Sequence, residues 1–284
     1  MSNLQITEEL VQALINSQFP QWSNLKIQAV QNGGNDNRTF RLGNSMSIRL
    51  PSAKAYAAQV EKENLWLPKL APNISTPITS PLALGKAEFD YPFNWSVNKW
   101  IEGEPLTITD PQKDLIAKGL ASFLKELQAI DSTDGPKGGK HNFYRGGKLS
   151  VYSNEVEESI KKLGNKIDIS VCKHIWSTAI SSHWKDRSVW VHGDIAMGNI
   201  LHQDYLLAGV IDFGILGVGD PACDLVMAWT YFDDISRSIF MEEMDMDTDT
   251  WGRARGWALW KALITFDNEH SKEVVSILQK EYHT

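Results

Sequence analysis

Apolar residues alternate with polar ones over short stretches of the first hundred positions, a pattern that predicts strands. The predicted strands cover residues 25–30, 38–42 and 46–50, and a fourth lies within residues 91–101. A Gly43-Asn44 pair suits the tight turn between the second and third strands. Helices are predicted around them, the first capped by Thr7 and the second over residues 56–67, where Pro68 disrupts the helix end.

Beyond residue 110 the apolar positions recur every three to four residues, which is the period of an amphipathic helix. Asp110 and Pro111 suit the start of the first such helix, which ends near residue 130. Further helices are predicted over residues 151–163, 171–184 and 251–266. Residues 131–147 are rich in Gly, Lys and Asp and lack any period, and a loop of that length is uncommon unless it is functional. The pattern predicts an α+β fold.

Four polar residues stand between short apolar runs in the stretch 190–214: His192, Asp194, Asn199 and Asp212. Asn199 follows Asp194 by five positions, and Asp212 begins a DFG tripeptide thirteen positions later. This is the spacing of the catalytic and metal-binding loops of protein kinases, HRDxxxxN and DFG. A single Asp more often caps a turn, but four suitable residues at this spacing favour a catalytic site.

These residue types suit phosphoryl transfer from ATP, with GTP left open as the donor. Asp194 is expected to orient the attacking hydroxyl and to accept its proton, with His192 beside it in the same catalytic loop. Asn199 and Asp212 offer hard oxygen ligands, which Mg²⁺ prefers, to hold that cation against the nucleotide phosphates. We therefore predict a magnesium-dependent kinase.

The segments HGDIAMGNIL, VIDFG and GVGDPACDL resemble the aminoglycoside phosphotransferase family, in which Gly193 stands where protein kinases carry the HRD arginine. The resemblance implies a protein-kinase-like two-lobe fold. A small β-sheet lobe that binds nucleotide would cover residues 1–98, and a hinge with a mostly helical lobe would cover residues 99–284. That second lobe would carry the catalytic loop and the acceptor site, and the acceptor would be an aminoglycoside or a related antibiotic.

The segment after Asp212 also favours a small acceptor. Asp220-Pro221 opens a helix only a few residues later, so there is no room for the long segment on which protein kinases dock a peptide. Within enzymes, a macrolide or a metabolite such as a sugar or amino alcohol remains an alternative acceptor. A non-catalytic nucleotide-binding module is the alternative from another class, and the intact Asp194, Asn199 and Asp212 argue against it.

The loop that covers the nucleotide phosphates is placed at Gly33, Gly34 and Asn35, between the first two predicted strands. Glycine lets the backbone approach an anion closely and direct N–H groups toward it. A glycine pair between strands is usually a plain turn, so this placement depends on its order ahead of the two kinase-like loops.

Arg49 stands at the end of a predicted strand, where a kinase carries its phosphate-binding lysine. An arginine on a solvated strand face is the alternative. Glu63 is chosen as the partner of Arg49 on the following helix, with Glu61 as the second choice. The hinge that contacts the purine is placed from chain order alone, at Val97, Asn98, Lys99 and Trp100.

Composition narrows the class of partner. The 284 residues include 28 Lys and Arg and 35 Asp and Glu, for a net charge of −7, which disfavours nucleic acid as a partner. No apolar run approaches the length of a membrane span, and the N-terminus lacks a signal-peptide pattern. Cys172 and Cys223 show no metal-binding spacing, so a reducing cytoplasm is expected. The expected partners are a nucleoside triphosphate and a small hydroxylated acceptor, bound to a monomer or weak dimer.

The acidic stretch near residue 245 offers contacts for a cationic acceptor. The candidate substrate residues are Asp233, Glu242, Asp245 and Asp247. A solvated turn and helix start is the alternative for such a run, and a modest negative charge also serves simply to keep a protein soluble.

Overall fold

The computed structural model describes residues 4–30 and 36–282, which form two compact units. The first unit comprises Met1–Gly103 and Ala208–Gly214, and the second comprises Glu104–Leu207 and Ile215–Thr284. The division within the first part of the chain therefore lies at Gly103. Residues 208–214, which include Asp212, belong to the first unit although they follow the catalytic loop in sequence.

A five-stranded antiparallel sheet forms the first unit. Its strands are β1 (Ile27–Ala29), β2 (Asn37–Leu42), β3 (Met46–Pro51), β4 (Pro81–Gly85) and β5 (Trp95–Lys99). Their order in the sheet is β1-β2-β3-β5-β4. The four strands predicted from alternation are confirmed with shifts at their ends, because alternating apolar positions bury one face of a strand against a core.

Two helices accompany this sheet, α1 (Glu8–Gln18) and α2 (Lys54–Leu70). Thr7 caps α1 as predicted, since its hydroxyl accepts a hydrogen bond from the N–H of Leu10 at 3.3 Å. The prediction that Pro68 disrupts the end of α2 is wrong, because the helix continues to Leu70. Leu67 and Leu70 are fully buried, and this packing outweighs the backbone hydrogen bond that a proline removes.

The core of the first unit lies between α1 and the sheet. Its fully buried members include Leu14, Ile15, Leu42, Ile48 and Trp95. Burial of side chains of this size contributes about 1.5–3 kcal/mol each, so these contacts rather than local propensity hold the sheet that carries Arg49.

The second unit is mostly helical. Its helices are α3 (Lys113–Ala129), α4 (Ser153–Leu163), α5 (Ile169–Ser181), α6 (Met227–Thr230), α7 (Asp234–Met244), α8 (Thr248–Ile264) and α9 (Glu269–Tyr282). The helix α8 is buried on almost every side and packs against α4, α5 and α9. Among the described residues, no helix combines the length and the apolar character that a membrane crossing requires.

One helix prediction is corrected here, and two helices are new. Asp110 does not cap α3; its carboxylate accepts hydrogen bonds from the backbone N–H and hydroxyl of Thr107, and α3 begins three residues later. The helices α7 and α9 were not predicted.

Short strands support the catalytic stretch: β6 (Glu104–Pro105), β7 (Val189–Val191), β8 (Ile200–Gln203), β9 (Leu206–Val210) and β10 (Gly217–Gly219). The antiparallel pairs are β7 with β10 and β6 with β8. They hold the segment between β7 and β8, which carries His192, Asp194 and Asn199, from both of its ends.

Candidate active site

A buried carboxylate fixes the backbone of the catalytic loop. Asp224 accepts hydrogen bonds from the N–H of His192 at 2.6 Å and from the N–H of Gly193 at 2.7 Å. Burial raises the pKa of Asp224, while His192 and the two N–H donors act against that shift. Gly193 has a φ of +87°, and a Cβ there would lie 2.7 Å from the backbone oxygen of Ile215. The chain therefore turns at a position that only glycine fits.

The turn presents Asp194 to solvent. Its N–H donates to Nδ1 of the buried His192 at 3.1 Å. Asn199 donates from Nδ2 to the backbone oxygen of Asp194 at 2.9 Å and to Oδ2 at 3.1 Å. The amide nitrogen is thus used to orient Asp194, which leaves the amide oxygen as the group suited to a cation.

In the first unit, Arg49 bridges two carboxylates. It donates to Glu63 at 3.0 and 3.2 Å from Nη1 and to Asp212 at 2.6 Å from Nη2. Burial disfavours a charge here, but the two carboxylates raise the pKa of Arg49 and keep it charged. Burial raises the pKa of Glu63, and Arg49 opposes that shift. The side chain of Asp212 is 36% exposed, so the ion pair has one buried end and one accessible end.

The other residues predicted to contact the nucleotide agree with the structure to different degrees. Gly33, Gly34 and Asn35 lie outside the described residues. Glu61 accepts a hydrogen bond from Asn94, whereas Glu63 contacts Arg49. The proposed hinge residues Val97, Asn98 and Lys99 are the last three of β5 and Trp100 follows them. Their order is as expected, but the N–H of Lys99 donates to the backbone oxygen of Ser80 and that of Trp100 to the backbone oxygen of Ser45, so these two donors already have partners within the first unit.

A cavity of about 300 Å³ in the second unit is lined by Asp194. Arg145, Trp257, Trp260, Lys261 and His270 also line it. A second cavity of about 690 Å³ shares His270 with the first and contains Asp233. Both are of the size of small-molecule sites.

The four acidic substrate candidates lie in α7 and at helix ends. Asp233 caps α7 through Ser236, and Asp247 caps α8 through Thr250. Asp245 is the C-cap of α7, with a φ of +50°, and Glu242 is an exposed residue of that helix. Glu242, Asp245 and Asp247 line neither of the two cavities.

Sequence analysis missed several residues that line the cavity beside Asp194. Arg145 lies in the aperiodic stretch 131–147, and Trp257 and Trp260 belong to a helix whose tryptophans equally suit a core. The only signal was the length of that loop, which indicates function without saying which residue carries it.

The donor chemistry of the predicted metal ligands fits Mg²⁺. Asn199 offers an amide oxygen and Asp212 a carboxylate. Within the described part of the chain, no three His, Cys, Asp or Glu side chains gather in a cluster that would hold a metal by themselves. That finding is compatible with Mg²⁺, which keeps several waters and binds through one or two carboxylates together with substrate phosphates.

Comparison with known proteins gives one family. The sequence profile of the phosphotransferase enzyme family matches residues 27–257, which is most of the chain. No protein with a curated description matches the chain significantly.

Solved structures resemble this one over nearly their whole length. The GDP and kanamycin complex of APH(2″)-IIia has a TM-score of 0.73 at 20% identity, covering 96% of this chain and 98% of that one. ADP-bound aminoglycoside phosphotransferase APH(2″)-Ib has a TM-score of 0.60 at 20% identity, with 96% and 97% covered. Macrolide 2′-phosphotransferase MphH from Brachybacterium faecium has a TM-score of 0.65 at 15% identity, with 96% and 98% covered. At these identities the likeness shows the kinase-like fold, which confirms the fold predicted from the sequence.

Proposed function

The chain belongs to the phosphotransferase enzyme family, and from that membership we propose that it transfers the γ-phosphoryl group of ATP or GTP to a hydroxyl of a small molecule. The observation that carries the proposal is the set of contacts around Asp194. This carboxylate is solvent-exposed, yet its position is set by Asn199 and by a loop that the buried Asp224 holds. A preorganised, accessible carboxylate is what a reaction that deprotonates a hydroxyl requires.

In this mechanism Asp194 accepts the proton of the acceptor hydroxyl as the new O–P bond forms and the bond to the departing nucleoside diphosphate breaks. His192, whose Nδ1 receives the N–H of Asp194, positions that residue rather than reacting. Asn199 keeps the carboxylate turned in one direction through its amide nitrogen. Catalysis of this kind depends mainly on positioning and on charge stabilisation.

Arg49 supplies a charge for the nucleotide phosphates, and Glu63 holds it in place from its buried side. Asp212 and Asn199 would hold Mg²⁺, whose chemistry when bound is to neutralise charge on phosphate oxygens. Gly33, Gly34 and Asn35 would contribute backbone N–H groups to the same phosphates, and the chain from Val97 to Trp100 would contact the base.

The acceptor is a small hydroxylated compound. One similar structure contains kanamycin and another is a macrolide 2′-phosphotransferase, so both an aminoglycoside and a macrolide are candidates for this chain. We further propose that the enzyme acts in the cytoplasm as a monomer or weak dimer, without nucleic acid or membrane, and that modification of an antibiotic would confer resistance.

A melting experiment with nucleotide tests the metal assignment. A nucleotide at one hundred times its Kd stabilises the chain by about 2.7 kcal/mol, and this stabilisation should require Mg²⁺ in the wild type. Asp212→Asn should remove most of the Mg²⁺ dependence, because a neutral amide is a poorer ligand for a hard dication. Asp204→Asn, at an exposed turn, is the control for loss of one carboxylate. Unchanged Mg²⁺ dependence in the Asp212 variant would exclude Asp212 as a ligand.

A further inference from the structure

The peptide group between Gly193 and Asp194 is held at both of its polar atoms. Its oxygen, which belongs to Gly193, accepts a hydrogen bond from Nε of Arg145 at 2.8 Å. Its N–H, which belongs to Asp194, donates to Nδ1 of His192 at 3.1 Å. The peptide group is planar, so its orientation sets the direction in which the Asp194 side chain leaves the backbone. Arg145 therefore contacts the group next to the reacting carboxylate, not the carboxylate itself.

Gly193 makes that restraint necessary. Glycine has no Cβ and has more conformational freedom than any other residue, so a peptide plane beside it turns easily. A Cβ built on Gly193 would lie 3.1 Å from both Cβ and Cγ of Arg145, so the stem of this arginine fills the space that a side chain at 193 would occupy. Asp224 holds the N–H groups of His192 and Gly193, and Arg145 holds the oxygen of Gly193. Together they restrain the chain on both sides of the glycine.

The backbone that carries Arg145 is anchored along β10, the strand that pairs with β7 just before the catalytic loop. The backbone oxygens of Pro136 and Gly146 accept hydrogen bonds, at 2.8 and 2.9 Å, from N–H groups in β10 and directly after it. Between them, the fully buried Asn142 donates from Nδ2 to the backbone oxygen of Arg145 at 3.0 Å. The long segment 131–147 therefore holds Arg145 at a fixed place relative to the catalytic loop.

Aromatic rings hold the guanidinium of Arg145 against α8. Its central carbon lies 4.7 Å from the ring centroid of Trp257 and 5.0 Å from that of Trp260, both within cation–π range. Both tryptophans are buried, and Tyr152 stacks on Trp260 at 4.0 Å. Nη1 of Arg145 is buried as well. This packing fixes Nε in place and makes the arginine part of the structure behind the catalytic loop.

We propose that Arg145 is a positioning residue, whose hydrogen bond to Gly193 holds the Gly193–Asp194 peptide in the orientation that directs the Asp194 carboxylate at the acceptor hydroxyl. The proposal rests on the phosphotransferase function given above. Arg145 takes no part in the transfer itself, in which the hydroxyl proton passes to Asp194 and the phosphoryl group passes to the hydroxyl oxygen. Its loss should lower kcat and leave the KM for nucleotide nearly unchanged, because a misplacement of about 1 Å at reacting groups costs about 10²-fold in rate.

Two substitutions of equal length isolate the hydrogen bond. Arg145→Gln keeps an N–H donor at the position of Nε, because the amide nitrogen of glutamine is bonded to Cδ as Nε is in arginine, whereas Arg145→Met places a methyl group there. Both remove the charge and its interaction with Trp257 and Trp260, so their effects on stability should be alike. Arg145→Met should lower kcat about 10- to 10²-fold, and Arg145→Gln should stay within about threefold of wild type. Lys148→Gln, at an exposed position of the same segment, is the control and should leave kcat unchanged.

The first measurement needs no substrate. Hydrogen exchange at the N–H of Asp194, followed by NMR on the full chain, should be at least about tenfold faster in Arg145→Met than in Arg145→Gln, because a peptide plane that turns releases this N–H from His192. The second measurement is phosphoryl transfer from Mg·ATP or Mg·GTP to kanamycin, and to water in its absence. It gives kcat and the KM for nucleotide of each variant.

Arg145→Lys is a further variant in case Arg145→Met folds poorly, since it keeps a charge near Trp257 and Trp260 but has a methylene at the position of Nε. It should resemble Arg145→Met in both measurements. Equal exchange at the N–H of Asp194 in wild type and Arg145→Met, or equal kcat in Arg145→Gln and Arg145→Met, would overturn the proposal. Absence of turnover with either acceptor in the wild type would contradict the phosphotransferase function, and the exchange rates would still decide whether Arg145 holds the peptide.

Discussion

At the scale of single residues, removing Asp194 and removing Arg49 should have different effects, because their contacts differ. Asp194 is exposed and receives hydrogen bonds from a neutral amide, so its removal leaves no buried charge unpaired. Arg49 is buried between Glu63 and Asp212, so its removal leaves a buried carboxylate. Substitutions at these two positions should therefore separate catalysis from stability.

Asp194→Ala should lower kcat far more than it changes either KM. A positioned carboxylate acts mainly in the transition state, and general-base contributions are typically ~10²- to 10⁴-fold. Steady-state kinetics with an accepted substrate would measure this. Asp194→Asn is the control, because asparagine keeps the shape of the side chain and the hydrogen bonds of the backbone at 194 but lacks the basicity of a carboxylate. A kcat within a factor of about three of wild type, below that range, would mean that Asp194 is not the base.

Arg49→Ala should lower the free energy of unfolding by about 3–5 kcal/mol, because it leaves the Glu63 carboxylate buried without its partner. It should also raise the KM for nucleotide and lower kcat. The double substitution Arg49→Met with Glu63→Met removes both charges and should recover most of the stability but none of the activity. Urea unfolding and kinetics on the same preparations distinguish the two effects. Recovery of activity in the double variant would mean that Arg49 has only a structural role.

At the scale of helices and loops, the ends of α7 and α8 account for acidic residues that the sequence offered as acceptor contacts. Asp233 and Asp247 each accept hydrogen bonds from the N–H and hydroxyl of a residue three positions on, Ser236 and Thr250. An acidic N-cap also lies at the positive end of the helix dipole. The acidic residue types that suit the start of a helix are therefore the same types that suit a cation site.

The cap at Asp233 predicts a pH dependence of stability. The hydrogen bonds from Ser236 lower the pKa of Asp233. A lowered pKa in the folded chain means that the stabilisation is complete above the unfolded value, about 3.9, and is lost as the pH falls through the folded value. Asp233→Asn caps without titrating, so the wild-type advantage over it, at most about 1 kcal/mol, should shrink between about pH 5 and pH 2. A constant difference in urea unfolding across this range would contradict the assignment.

At the scale of the whole molecule, the net charge of the chain is opposite in sign to the charge of the side chains that line the cavity beside Asp194. The net charge of −7 is compatible with a cationic ligand. The side chains beside Asp194 instead include Arg145 and Lys261, whereas the adjoining cavity is lined by Asp233, Asp234, Glu273 and Glu281. Net charge is a sum over the surface, and a ligand responds to the few groups within a Debye length of it.

The sequence by itself determined the fold class and the residues of the two kinase-like loops. The periods of strands and helices follow from the positions that must be buried. Phosphoryl transfer needs particular side chains at fixed spacing, and this explains the order HGD, N and DFG. Asp220-Pro221 also marked the start of a helix. Asp224 holds the catalytic loop, and Asp220 caps the helical turn that follows it.

Only the tertiary structure decided which partner each of these residues has. The sequence ranked Glu63 ahead of Glu61 without excluding either, and the packing of α2 against the sheet selects Glu63 for Arg49. Arg145 lies 48 positions before Gly193, so no local pattern relates them, and its place depends on how a loop without a period packs on α8. Local spacing fixes what neighbours in sequence can do together, whereas contacts between distant segments depend on packing of the entire chain.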